Sequence, residues 1–241
     1  MQAVKVEGFV LSTTPFKENS RILNILTKEY GLIGVISKGC KKINSKLRLL
    51  SDKFSYCSFD IYYKENALST LVDGSVINYW ENIRSDLSKI SYLSYLSELT
   101  LGVYRESESL EIYDLFINAV LKIENGLSAK IVANILELQY LDYLGIGLNL
   151  DSCTCCGSSK ITTISLSKGG FVCSDCMSNE HIYNDKVIKL IRLYKYVDIS
   201  KISSLDIDSE ISNTIDEIIN QYYDSYSGIH PSSKKFLKEL E

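Results

Sequence analysis

The sequence of 241 residues lacks the motifs by which nucleotide-dependent and hydrolytic enzymes are commonly identified. It contains no GxxxxGK[ST] phosphate loop, no GxGxxG after a predicted strand, and no HxE followed by PCxxC, which a zinc deaminase needs. Histidine is scarce, since only His181 and His230 occur. No nucleophile has an evident general base. These absences predict a protein that is not an enzyme.

Long apolar runs are also missing. No run approaches the ~20 apolar residues that a membrane-spanning helix needs, so we expect no membrane partner. The N-terminus leads straight into an alternating strand pattern and not into a signal peptide. We therefore expect a reducing, cytoplasmic compartment, in which a disulfide framework is the weaker explanation for seven cysteines.

Four of the cysteines form two CxxC pairs separated by sixteen residues: Cys153/Cys156 and Cys173/Cys176. Each pair can direct two thiolates to one point, and the intervening segment is long enough to fold back and complete a tetrahedral shell. Gly157, Gly169 and Gly170 would supply the positive φ angles that a tight turn around a metal requires. The pattern predicts one structural zinc ion held by four sulfur ligands.

Other ligand sets remain open at this stage. Cys155 lies inside the first pair and could replace one of its neighbours, and His181 could replace a cysteine of the second pair. Iron in a rubredoxin-like site would use the same four thiolates. Cys40 and Cys57 lie among apolar residues of apparent strands, so we expect them to be buried small hydrophobic side chains.

Charge is unevenly distributed along the chain, although the formal net charge is only −4. Residues 1–80 carry eleven Lys and Arg against seven Asp and Glu, whereas residues 81–241 carry fifteen against twenty-three. Residues 31–51 contain no acid and five bases, Lys38, Lys41, Lys42, Lys46 and Arg48. Gly39, Asn44 and Ser45 indicate that these bases lie on a loop, where they can converge on a phosphate backbone.

The first 75 residues predict an all-β module with strands at 4–11, 21–27, 32–38, 54–63 and 68–72. Five short strands with a long basic loop after the third favour a closed OB-fold barrel. Aromatic residues cluster on the fourth strand, and those that point outward could stack on bases: Phe54, Tyr56, Phe59, Tyr62 and Tyr63.

A helical pattern begins after Asn78. Apolar stripes with a period of three to four residues run through 87–103 and 112–123, and a third helix is expected to start after an N-cap at Ser128. Further helices are expected at about 185–197, 211–226 and 231–241. The fold class is therefore α+β, with an OB-fold at residues 1–80 and a helical domain at 81–241 that carries the zinc-finger segment at about 150–182.

The ordered motifs resemble the bacterial recombination mediator family RecO. The resemblance is carried by residues 8–11 (GFVL), 18–22 (ENSRI), 26–32 (LTKEYGL), 37–39 (SKG), the basic loop, both cysteine pairs and the C-terminal SKKFL at 233–237. It covers most of the chain, but the stretches 82–129 and 185–230 carry only a helical pattern. Cys155 and the acidic overall charge depart from the family pattern.

The resemblance implies a non-enzymatic protein of recombinational repair. A RecO-like protein binds single- and double-stranded DNA, anneals complementary strands and, with RecR, helps load RecA onto strands coated by single-strand binding protein. The DNA-contacting residues would be Lys38, Lys41, Lys42, Lys46 and Arg48, with Arg21 and Lys17 as weaker candidates. Two alternatives are a protein-interaction adaptor with an acidic helical body, and a metal- or redox-dependent enzyme that uses Cys155.

Overall fold

Five β-strands form the N-terminal part of the protein. In the computed structural model, which describes residues 2–240 and the side chains of residues 3–237, these strands are β1 (Gln2–Phe16), β2 (Ser20–Thr27), β3 (Gly31–Ser37), β4 (Tyr56–Tyr63) and β5 (Ser69–Asn78). They close into a barrel in the order β1-β2-β3-β5-β4. The β3–β5 pair is parallel and the other pairs are antiparallel. The predicted five-stranded OB-type barrel is confirmed.

Strand β1 is longer than its predicted range of 4–11. Its first half pairs with β4 and its second half with β2, and the register shifts between Val10 and Ser12. A bulge bends a strand, so one strand can serve two neighbours around a small barrel. The change of partner interrupts the simple alternation of apolar and polar residues, which explains why the sequence pattern ended early.

The barrel interior is filled by alternate side chains of its strands, which include Val6, Leu23, Val35, Phe59 and Leu71, each at most 3 % exposed. The chain leaves the barrel through Trp80, whose side chain is fully buried. The Trp80 indole N–H donates to the Phe54 carbonyl at 2.9 Å, and its ring stacks on Tyr56. This contact fixes the end of the basic loop to the exit of the barrel.

The helices are α1 (Glu81–Arg84), α2 (Leu87–Ser107), α3 (Glu111–Glu124), α4 (Ala129–Tyr143), α5 (Asp185–Tyr196), α6 (Ser209–Tyr226) and α7 (Lys234–Leu240). The predicted N-cap is confirmed, because the Ser128 side chain accepts from the Ile131 N–H. The ends of the two predicted domains at Met1 and Glu241 lie outside the described residues. Among the described helices, none is both long and apolar enough to cross a membrane.

Two compact units result, one of Met1–Ile117 with Ser232–Glu241 and one of Asn118–Pro231, and the division falls within α3. In the second unit, the Gln139 side chain of α4 donates to the carbonyls of Tyr194 and Val197 at the end of α5. Residues 150–182, hereafter the cysteine segment, connect these two packed helices. The segment contains a short hairpin of β6 (Thr163–Ser165) and β7 (Gly170–Val172).

Candidate metal centre and candidate nucleic-acid surface

The two cysteine pairs converge on one point. The sulfur atoms of Cys153, Cys156, Cys173 and Cys176 all lie within 4.8 Å of one another, and those of Cys156 and Cys173 are 3.6 Å apart. Four sulfur atoms at ~2.3 Å from a central tetrahedral ion would be separated by nearly 4 Å. The cluster therefore has the dimensions and the donor set to hold one metal ion.

Backbone hydrogen bonds shape each pair into a knuckle. In the first, the Gly157 N–H donates to the Cys153 carbonyl at 2.8 Å, and in the second the Met177 N–H donates to the Cys173 carbonyl at 2.9 Å. The predicted positive φ angles are present, at 74° for Gly157, 72° for Gly169 and 153° for Gly170. A Cβ atom at Gly170 would lie 2.1 Å from the Asn149 carbonyl oxygen, so this position requires glycine.

An ion pair supports the second knuckle from outside. The Lys168 ammonium donates to the Cys176 carbonyl at 2.8 Å and lies 2.8 Å from the Glu180 carboxylate. The bond from Lys168 and a backbone N–H from Ser178 lower the pKa of Glu180 to about 2. Sequence reasoning missed this pair, because the two residues are twelve positions apart and no periodic pattern joins them.

The remaining cysteines and His181 lie outside the cluster among the described residues. Cys155 is exposed, and its thiol lies 3.8 Å from the hydroxyl of the adjacent Thr154. His181 is exposed and packs its ring against Tyr183. Cys40 and Cys57 are buried as expected, although Cys40 lies in the loop after β3 and not in a strand. Burial raises the pKa of the Cys57 thiol to about 12.

The basic loop, residues 38–55, is a succession of turns. Backbone N–H groups donate to carbonyls three residues earlier from Lys42 to Gly39, Ser45 to Lys42, Arg48 to Ser45, and Ser51 to Arg48. A short 3₁₀ helix, Leu49–Ser51, completes the series. Each of these N–H groups is bonded to the carbonyl three residues earlier, so the long loop has a defined shape.

Side-chain and backbone contacts anchor this loop to the barrel at three places. Cys40 and Leu50 are buried, and the buried Ser51 hydroxyl donates to the Ser37 hydroxyl at 2.7 Å. The Arg21 guanidinium pairs with Asp52 and donates to the Ser51 carbonyl at 2.9 Å. The Lys41 N–H donates to the Asn19 carbonyl, which brings the turn between β1 and β2 against the loop.

The lysine and arginine residues that were predicted to contact DNA differ in their exposure and in their partners. Lys41 is half-buried, whereas the side chains of five others are exposed: Lys17, Lys38, Lys42, Lys46 and Arg48. None of these six forms an ion pair with a residue that the structure describes. Arg21 differs, because its charge is matched by Asp52. The hydrogen bond from Lys41 to Asn19 places the turn that carries Lys17 beside the loop.

Lys53 belongs to the same loop but contacts helix α2. Its ammonium donates to the Ser94 hydroxyl of α2 at 3.1 Å and lies 4.7 Å from the centre of the Phe54 ring. Burial lowers the pKa of Lys53, and the nearby Glu98 carboxylate partly opposes this shift. Lys53 therefore attaches the loop to α2.

The aromatic residues predicted on the fourth strand divide into two groups. Phe54 lies just before β4, in the basic loop, and it is buried together with Tyr56 and Phe59. Tyr62 is 42 % exposed, and Tyr63 is half-buried with its ring stacked on Tyr30 at 4.4 Å between centroids. Of the predicted aromatic set, only Tyr62 is exposed, because Tyr63 also packs against the barrel core.

Comparison with known proteins assigns the chain to a family. A family model described as "Recombination protein O N terminal" matches residues 1–80, and one described as "Recombination protein O C terminal" matches residues 84–235. The DNA repair protein RecO of Bacillus pumilus (strain SAFR-032) is 32% identical over 243 residues, which cover 99% of this chain and 94% of that protein. The RecO protein of Bacillus subtilis (strain 168) is 30% identical over 242 residues, which cover 98% and 94%.

The similarity is spread along the chain and is not confined to one motif. RecO of Halalkalibacterium halodurans is 31% identical over 242 residues, covering 98% of this chain and 95% of that protein. The two family models match the barrel region and the helical region separately, in the order expected from the sequence. With the closed five-stranded barrel and the four-cysteine cluster in place, the chain belongs to the RecO family of DNA repair proteins.

Proposed function

We propose that this protein is a non-enzymatic mediator of recombinational repair in the bacterial cytoplasm. It binds single- and double-stranded DNA, anneals complementary strands and, with RecR, helps load RecA onto strands coated by single-strand binding protein. The observation that carries the proposal is the set of exposed lysine and arginine side chains, without an ion-pair partner among the described residues, on an ordered loop of the barrel. The family relationship supports the DNA repair context.

The chemistry of the loop suits binding to the DNA backbone without reading of sequence. Lysine and arginine side chains neutralise phosphates, and the counterions that they release supply much of the binding free energy. Contacts to phosphate position a strand but carry no base information. A protein that binds any strand in this way reduces the repulsion between two complementary strands, so pairing is accelerated. Annealing without catalysis follows from this property.

We further propose that the metal held by the four cysteines is zinc, in a structural role. Four thiolates in a closed tetrahedral shell are typical of structural zinc sites, and they leave no open position for a reacting group. Iron can occupy the same ligand set, so metal analysis of the purified protein distinguishes the two. A redox enzyme that uses Cys155 is disfavoured, because this thiol lies outside the cluster.

The dependence of DNA affinity on salt tests the proposed surface. About five phosphate contacts predict a slope of log K against log salt near −3.5 on single strands, from ~0.7 for each contact. Reversing the charge of three basic side chains, by Lys41→Glu, Lys42→Glu and Lys46→Glu, leaves about two phosphate contacts. The expected slope of this variant is near −1.4. Strand annealing should slow in parallel, both on bare strands and on strands coated by single-strand binding protein.

A matched control separates the loop from a general effect of charge. Lys160, Lys186 and Lys189 are exposed lysines of the second unit, and their reversal to Glu changes the net charge by the same amount. This control should retain the wild-type slope and annealing rate. A wild-type slope near zero, or equal losses in the two triple variants, would contradict the proposal. If DNA binding fails while a pull-down still retains protein partners, the adaptor function is favoured.

A further inference from the structure

A groove with a volume of about 490 Å³ lies beside the basic loop, between the end of that loop, the end of β5 and helix α1. Its apolar lining comes from Leu49, Val76 and Tyr79. Leu49 is 60 % exposed and Tyr79 is 58 % exposed, so both leave a large apolar surface open to solvent. Arg48, the last base of the loop, directly precedes Leu49. The first residue that lines the groove therefore directly follows the last basic residue of the 38–48 run.

Folding of the barrel does not account for these exposed side chains. Their neighbours in sequence already supply the packing, because Leu50 is 4 % exposed and Trp80 is fully buried. Leu49 and Tyr79 remain outside the core, yet both line the same groove. Two large apolar side chains that converge on one concavity are more typical of a binding site than single exposed residues are.

The charges of the groove nearly cancel. Asp52 is paired with Arg21, and Glu81 and Arg84 of α1 contribute one charge of each sign. The Asn78 side-chain oxygen Oδ1 accepts from the Trp80 backbone N–H, and the NH₂ group of the same side chain can donate to a ligand. The lining is thus apolar and hydrogen-bonding without a net charge. It adjoins the lysine and arginine side chains of the basic loop. This combination is complementary to a neutral, flat, partly polar group that is attached to an anionic chain.

We propose that the groove binds an unpaired base of single-stranded DNA, which stacks on Tyr79 while the adjoining phosphates contact the basic loop. This inference rests on the proposed function, since it takes DNA as the partner of that loop. Stacking on an aromatic ring tolerates any base, because every base has a π-face. A paired base in a duplex is not available for this contact. The groove therefore gives the protein a preference for single strands that the loop, which contacts only phosphates, does not provide.

The test compares three probes by fluorescence anisotropy with the full-length protein: a short single strand, an abasic strand of the same length, and a duplex. Tyr79→Ala should weaken binding of the normal single strand by about 5- to 150-fold, the range that corresponds to stacking of one base. It should leave binding of the abasic strand and of the duplex unchanged. A 2-aminopurine base in the single strand should be quenched by the wild type and not by Tyr79→Ala.

Two control variants complete the experiment. Tyr79→Phe keeps the ring and should retain wild-type affinity and quenching. Tyr196→Ala removes a tyrosine of α5 that is 53 % exposed, and it should change no probe. Thermal unfolding of each variant checks that the fold is intact.

The outcomes distinguish this inference from the proposed function. If Tyr79→Ala weakens all three probes equally, or none of them, the groove does not bind a base and the inference is wrong. If reversal of Lys41, Lys42 and Lys46 leaves binding of every probe unchanged, the proposed function itself is wrong. If that reversal weakens all probes while Tyr79→Ala does not discriminate among them, only the inference fails.

Discussion

Loss of one metal ligand should unfold the cysteine segment while the helices around it persist. Metal binding contributes an apparent ~10–16 kcal/mol in zinc-finger peptides. The segment buries four large apolar side chains, Leu150, Ile164, Phe171 and Val172, which contribute about 6–12 kcal/mol at ~1.5–3 kcal/mol each. The metal is therefore the larger contribution, and ~10 kcal/mol corresponds to a factor of about 10⁷ in the fraction of molecules in which the segment is open.

The perturbation is Cys173→Ser, which removes a buried ligand, and the control is Cys155→Ser, which removes an exposed thiol outside the cluster. Trypsin should cut after Lys168 only when the segment opens, because this side chain is held by Glu180 and the Cys176 carbonyl. Cys173→Ser should lose its metal to a chelator concentration that the wild type withstands, and cleavage after Lys168 should accelerate by orders of magnitude. The far-UV circular dichroism should change little, because the segment contributes only two strands of three residues each.

The reasoning is refuted if Cys173→Ser keeps stoichiometric metal under the same chelator, or if its segment resists trypsin as well as the wild type does. It is also refuted if Cys155→Ser loses the metal as readily, since Cys155 would then be a ligand. DNA binding measured on the same two variants shows whether the metal acts only on local folding. We expect both variants to bind single strands like the wild type, because the basic loop lies in the other compact unit.

Three further changes test the contacts of the first unit. Glu7→Leu removes the carboxylate that accepts from the Tyr56 and Tyr113 hydroxyls, so the free energy of unfolding in urea should fall by about 1–3 kcal/mol. Burial and the bond to Glu7 raise the pKa of Tyr56 to about 12, so its neutral form contributes stability that is present below pH 10 and lost as the pH rises towards 12. Tyr56→Phe should reduce that alkaline loss in pH-dependent melting, and an unchanged loss would contradict the assignment. Glu98→Ala removes the acceptor of the Ser233 N–H at the start of α7, which should cost about 1 kcal/mol and speed amide exchange in that helix.

Local sequence patterns were sufficient to predict the element types and the clustering of the four cysteines. The spacing within each CxxC pair limits how far apart two thiolates can lie, and the glycines beside them permit the tight turns that the structure contains. The helical stripes and the Ser128 cap depend on residues three or four positions apart, so they too are visible in sequence. The barrel was predictable because short alternating runs with one long loop have few ways to close.

The tertiary structure decided which charges and rings remain available to a partner. The sequence does not distinguish Arg21 and Lys53 from the other basic residues of the barrel region. In the structure, Arg21 forms an ion pair with Asp52, and Lys53 donates to the Ser94 hydroxyl. Tyr79 carries no sequence signal, because its exposure follows from the burial of Trp80 beside it. Ion pairs and grooves join residues that are tens of positions apart, and their geometry depends on how the chain closes. The sequence alone therefore determined the elements, the four cysteines that cluster and the family resemblance, while the closed barrel determined which basic and aromatic side chains remain exposed.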